Sequence, residues 1–137
     1  MSRSGYSDEG DNLNLWRATV ERSIAGKKGQ AFLRELAKEM DAMPHKRLIA
    51  DELVAENGEM CAIGVVCKAR GLDTKGVNIE NPKRVGELVG ISMAMAAEIE
   101  YENDERTRSE WRTDVPEETP ENRWIRMRKW VDENLKG

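Results

Sequence analysis

This chain of 137 residues is short of the side chains that usually carry chemistry: one histidine, two cysteines, one phenylalanine and two tyrosines. The lone histidine, His45, has no Asp, Ser or Cys beside it at a spacing that suggests a nucleophilic triad. A metal site would need several His or Cys residues, or carboxylates in a calcium-loop pattern, and neither occurs. Cys61 and Cys67 lie six apart, which fits neither C-x-x-C nor a zinc knuckle. On one helix that spacing turns the two thiols about 120° apart, so they are read as two buried small hydrophobes rather than a disulfide. No catalytic residue, metal or cofactor is expected, and the chain is not expected to be an enzyme.

Long apolar runs are also missing. None approaches the roughly 20 residues that span a bilayer. The opening MSRSGYSDEGDN lacks an apolar h-region, so it does not read as a secretory signal. Together these lead to an expectation of a cytoplasmic protein with no membrane partner. Net charge is −4, with 35% charged and 39% hydrophobic residues. That balance is globular and gives no global steering toward nucleic acid.

What is present is helical periodicity. The stretch 26–71 organises the chain, holding the clearest helix, a sharp stop, a turn signal and the densest apolar run. Residues 1–12 read as a flexible segment, and 13–137 as a single helical domain. A first helix over 13–25 has Leu13, Trp16, Val20 and Ile24 on its inner side, with Gly26 as a left-handed exit. A second, over 30–43, has Phe32, Leu33, Leu36, Ala37, Met40 and Met43 on one face, and Pro44 stops it. Leu48, Ile49, Leu53 and Val54 favour a short helix over 48–56. A two-stranded ribbon turning at Asn57-Gly58 is the alternative. Residues 60–69 are almost wholly apolar and read as a buried element ended by Gly71. Asn81-Pro82 starts a helix over 83–89. Ser92 caps another over 93–101, 103–118 reads as irregular, and Thr119-Pro120 starts the last, over 120–135. The fold class is mainly α: a compact bundle of five to seven short helices, with a short β-hairpin around Asn57-Gly58 as the variant.

Four local features invite a function. Gly90 and Ser92 between the 83–89 and 93–101 helices resemble a helix-turn-helix over 84–104. Its second helix offers Glu98 and Glu100 with no Lys or Arg, which suits helix-corner packing better than reading DNA. The last helix interleaves Arg123, Arg126, Arg128 and Lys129 with Trp124 and Trp130, a pattern found in nucleic-acid binders. From Glu98 to Glu121, however, ten carboxylates stand against three arginines, a formal −7, and supply partners for that helix. The acidic run itself reads either as solvated loop or as a surface that imitates phosphates. Trp111 and Trp130 fall off the core stripes. With Glu102, Asp104, Glu105 and Arg126 they form the expected partner-binding set. Finally, Lys27, Lys28 and Gln30 precede a helix and make a candidate anion site, without the full P-loop spacing.

The opening SRSGYSDEGD, the block GKKGQAFLRELAKEMDAMPHKRLIADEL, the run NGEMCAIGVVCKARG, IEYENDE and the closing ETPENRWIRMRKWV resemble a family of small proteins from tailed bacteriophages and prophages. The similarity covers almost the whole chain. It implies a phage-borne gene expressed in the bacterial cytoplasm, with no catalytic residue set attached. Phage proteins of this size commonly act on host proteins or host defences. The expectation is therefore a non-catalytic accessory protein that binds a host bacterial protein and modulates or inhibits it. A small nucleic-acid-binding regulator using 84–104 is the alternative.

Overall fold

A computed structural model describes residues 10–104 and 118–136, with the side chains of 10–14 left aside. It is mainly helical: α1 (Gly10–Ala25), α2 (Lys27–Asp41), α3 (Ala62–Arg70), α4 (Pro82–Val89), α5 (Met93–Asp104) and α6 (Pro120–Asn134). One apolar core joins all six, from Val20 and Ile24 through Leu33, Leu36 and Met40 to Met127 and Val131.

α1 starts at Gly10, so the expected flexible segment of 1–12 is cut short at its inner end; residues 1–9 lie outside the described residues. α1 and α2 are separated by Gly26 alone. That glycine has φ −70° and ψ 166°, so the expected left-handed exit is absent and Gly26 opens α2 instead. Residues 27–29, expected as a connector, are the first turn of α2. The corner is tight because Gly29 has no side chain: a Cβ there would lie 2.1 Å from the Ser23 carbonyl. The inner face of α2 is the one its periodicity marks, with Phe32, Leu33, Leu36, Ala37 and Met40 buried.

The expected helix over 48–56 does not form. Its backbone groups find partners far away in sequence, which removes the need for local helical bonds. Leu48 N–H donates to the Pro120 carbonyl (3.0 Å) and Ile49 N–H to that of Met60 (2.9 Å). Asp51, in the left-handed region at φ 70°, donates its N–H to Asp104 Oδ2 (3.2 Å). The ribbon alternative is closer: Val54 and Met60 form a single antiparallel bridge across the Asn57-Gly58 turn. Cys61 N–H returns to the Leu53 carbonyl at 3.1 Å. This backbone crosses α3 at Gly64, where a Cβ would meet the Leu53 carbonyl oxygen at 1.8 Å.

The punctuation signals further along the chain act as read. Gly71 (φ 70°) ends α3. Asn81 Oδ1 caps α4 through Arg84 N–H at 3.2 Å. Ser92 Oγ accepts from Met95 N–H at 3.0 Å, and Thr119 Oγ1 from Asn122 N–H at 3.1 Å. α5 outruns its expected end by three residues. It packs against α1, α3, α4 and α6 and is covered on every side from Ala94 to Glu100.

Candidate functional site

α5 is the axis of the bundle, and its second half is unusual for an axis. Glu98, Glu100, Glu102 and Asp104 are 3%, 2%, 5% and 2% exposed. Buried carboxylates persist only when hydrogen bonds or counter-charges meet them, and part of that provision is visible: Asp104 Oδ2 accepts from Asp51 N–H at 3.2 Å and Oδ1 from the Asn103 amide. Arg17 Nη1 reaches Glu98 Oε2 at 3.1 Å. Asn103 Oδ1 accepts from Ala62 N–H at 3.1 Å, and its amide donates to the Ile49 carbonyl at 2.9 Å. Arg123 donates from Nε to the Asn103 carbonyl and from Nη1 to that of Leu48, both at 3.1 Å. Arg126 Nη1 donates to the Glu102 carbonyl, and Nη2 donates to the Asn103 carbonyl at 3.2 Å. Two guanidinium groups thus sit at the negative end of α5. Both also pair with Glu118, at 3.4 and 2.8 Å.

This network corrects several expectations. Glu102 and Asp104 do not form an exposed acidic partner surface, because the fold places them inside. Glu98 and Glu100 likewise drop out of any phosphate-imitating face. Arg126 is committed to Glu118 and the α5 carbonyls rather than to a partner. Trp130 is half-buried against the core and lines a cleft with Val20, Ile24, Glu98, Glu102 and Glu133. Trp111 and Glu105 lie outside the described residues. The anion site does not assemble either. Lys27 and Lys28 are exposed, but Gln30 is 7% exposed and spends its amide on structure. Its Nε2 donates to the Ile24 carbonyl (2.8 Å) and the Asn134 carbonyl (3.0 Å), and its Oε1 accepts from Lys136 N–H (2.7 Å). Gln30 ties the end of α6 to the α1–α2 corner.

The helix-turn-helix geometry is present, but α4 and α5 meet as a packed corner. Gly86 lies so close to the following turn that a Cβ would be 2.7 Å from the Ile91 carbonyl. A reading helix needs a free face for base edges, and from Ala94 to Glu100 α5 has none.

The thiols are insulated. Burial holds Cys67 up at about 11 and raises Cys61 as well, so both stay protonated near neutrality, when only the thiolate is a good nucleophile or ligand. Among the described residues no group of three or more His, Cys, Asp or Glu could hold a metal ion. No helix among them is long and apolar enough to cross a membrane.

One feature escaped the sequence reading. Between the exit of α2 and the Asn57-Gly58 turn runs an open groove of about 380 Å³. Met43, Pro44 and Met60 supply its apolar lining, and His45, Arg47, Glu59 and Lys68 its polar one. Both walls are braced. Lys46 Nζ donates to the Asp41 and Met43 carbonyls (2.9 and 2.8 Å) and lies 5.5 Å from the centre of the Trp124 ring. Across the groove, Asn57 Oδ1 accepts from Glu59 N–H at 3.0 Å. The signals were in the sequence, a proline stop followed by His-Lys-Arg and an Asn-Gly turn, but nothing local says that the two face each other. No protein-family model, no curated protein and no solved structure matches this chain.

Proposed function

We propose that this chain is a phage accessory protein that acts in the host bacterial cytoplasm by binding a host protein, a defence component among the candidates, and modulating or inhibiting it without catalysis. The phage setting rests on the sequence resemblance. Binding is supported by one structural observation: the braced groove with an apolar methionine and proline floor and a polar rim. Pockets for ligands and partner side chains are typically apolar with a few placed polar groups. The nucleic-acid alternative loses support from the covering of α5 between Ala94 and Glu100, which leaves that stretch no free face for base edges.

The test is affinity capture from bacterial lysate in nuclease-treated and untreated halves. The proposal expects a specific host protein retained equally in both. Retention of nucleic acid alone, with a steep loss as salt rises, would overturn it in favour of the regulator.

A further inference from the structure

We propose that Asn57 is a self-modifying residue. Its side-chain amide is lost to attack by the Gly58 backbone nitrogen, and the turn converts to aspartyl and isoaspartyl forms. This stands apart from the protein-binding reading above.

The sequence supplies the reactants. Asn57-Gly58 is the one Asn-Gly pair among eight asparagines. The Gly58 nitrogen forms a bond to Asn57 Cγ, and the Cγ–Nδ2 bond breaks. Nδ2 leaves as ammonia, taking the proton that Gly58 N–H gives up, and a five-membered succinimide remains. Water then opens the ring on either side. Opening at Cγ leaves aspartate at that position. Opening at the main-chain carbonyl leaves isoaspartate, in which the backbone runs through the former side chain and is one methylene longer.

The fold sets the rate. Asn57 is exposed. Gly58 has φ 87°, a backbone that glycine takes without strain. Chain neighbours aside, nothing lies within 4 Å of where a Gly58 Cβ would be, so approach to the nitrogen is open. Asn57 Oδ1 accepts from Glu59 N–H at 3.0 Å. That bond folds the side chain along the Gly58 peptide and sets a donor on the oxygen where charge gathers as the nitrogen adds. One brake opposes this: Gly58 N–H donates to the Ala55 carbonyl at 2.9 Å. The nitrogen must leave that bond and lose its proton before it attacks. A hydrogen bond at an exposed turn opens locally and often, so this one slows conversion about tenfold without stopping it.

Other asparagines in the same molecule serve as controls. Asn78 Oδ1 accepts from Glu80 N–H at 2.9 Å, the same side-chain turn on an exposed residue. Its successor is Ile79, branched and buried, which crowds the attacking nitrogen. Asn81 precedes Pro82, which has no N–H to give up. Asn103 is buried and held by Ala62 and Ile49. Conversion therefore begins at 57. Each event adds a carboxylate beside Glu56 and Glu59 and takes the net charge from −4 to −5. The isoaspartyl form also lengthens the turn across which Val54 bridges Met60, which loosens the ribbon.

The experiment ages the full chain at mildly alkaline pH and maps its peptides by mass. The expected result is a gain of about 1 Da, amide exchanged for acid, at residue 57 ahead of every other asparagine. Part of the product should be labelled by an isoaspartyl methyltransferase. The rate should rise with pH, because the attacking nitrogen is deprotonated. It should be about tenfold higher for the chain unfolded in guanidinium chloride. Asn57→Gln should show no gain at 57, since its ring would be six-membered. Gly58→Ala, measured unfolded so that strain at the turn plays no part, should convert several-fold more slowly because a methyl crowds the nitrogen. No gain at 57 in the folded chain while the unfolded chain converts, or an earlier gain at Asn78, would overturn the proposal. Equal rates in the folded and unfolded chains would overturn the role given to the Ala55 bond.

Discussion

α2 and α5 both run through the core, and they are buried in different ways. α2 is amphipathic: Leu33, Leu36 and Met40 point in, while Arg34, Lys38 and Asp41 point out. α5 has no outer face from Ala94 to Glu100, and its last two turns bring Glu98, Glu100, Glu102 and Asp104 inside. The first kind of burial is held by the hydrophobic effect acting on one stripe. The second depends on partners brought from α1, α6 and the 48–62 segment. The lesson is that an acidic run in a sequence is not a surface until the cations and N–H groups that meet it are located. Here Arg17 meets the Glu98 carboxylate, Asp51 N–H and the Asn103 amide meet that of Asp104, and Arg123 and Arg126 meet the backbone carbonyls at the end of α5, within a stretch that reads in sequence as a solvated face.

Five substitutions sharpen or break this comparison. The largest effect is expected from Leu36→Ala in α2. Its side chain is wholly buried, and truncation of a buried leucine costs about 3–5 kcal/mol, measured by urea unfolding. Next come Arg123→Ala and Asn103→Ala, which act on α5. Each strands buried backbone groups, at about 2–3 kcal/mol apiece. Because they share the Asn103 carbonyl and the 48–62 backbone, the double variant should lose less or more than the sum by at least about 0.5 kcal/mol. Strict additivity, or near-neutral singles, would mean that the network only decorates an apolar bundle.

Smaller effects follow at the edges of both helices. Thr119→Ala removes the cap of α6 and should cost about 1 kcal/mol. Smallest is the α2 surface. The Arg128 guanidinium grips Asp41 at 2.8 and 3.1 Å and holds its carboxyl below the ordinary 3.8. Arg70 does the same for Glu35, below 4.5. A carboxyl lowered in the folded state stabilises above its unfolded value, and that contribution fades as pH falls through the folded one. Stability should therefore sag below about pH 4.5. Asp41→Asn should flatten that acid limb slightly, removing at most about 1 kcal/mol from a pair so exposed. A large pH-dependent loss in Asp41→Asn would mean that the outer face of α2 is not the solvated edge described.

Much of the fold was legible because it is locally signalled. Asn81-Pro82, Ser92 and Thr119-Pro120 start helices through hydrogen bonds that span three residues, and Phe32 to Met40 repeats at the helical period. The 48–61 segment was not legible as drawn. Leu48 and Ile49 suit a helix by spacing, but Pro120, Met60, Arg123 and Asn103 claim their backbone, and those residues lie up to 75 positions away. The site was the least legible part. Glu102, Asp104 and Arg126 stand out in the sequence for charge, but their visible bonds run through groups no charge pattern records: Arg126 to the Glu102 carbonyl, and Asp104 to Asp51 N–H and the Asn103 amide. The groove at Met43 and Met60 depends on two distant stops facing each other, which no periodicity records.

Amide hydrogen exchange, read residue by residue on the full chain near neutral pH, tests the central claim most directly. The account predicts that amides of 98–104 are as strongly protected as those of 33–40, exchanging only when the whole molecule unfolds. Exchange at 98–104 faster by orders of magnitude, with 33–40 still protected, would return these carboxylates to solvent and restore an acidic face to contention.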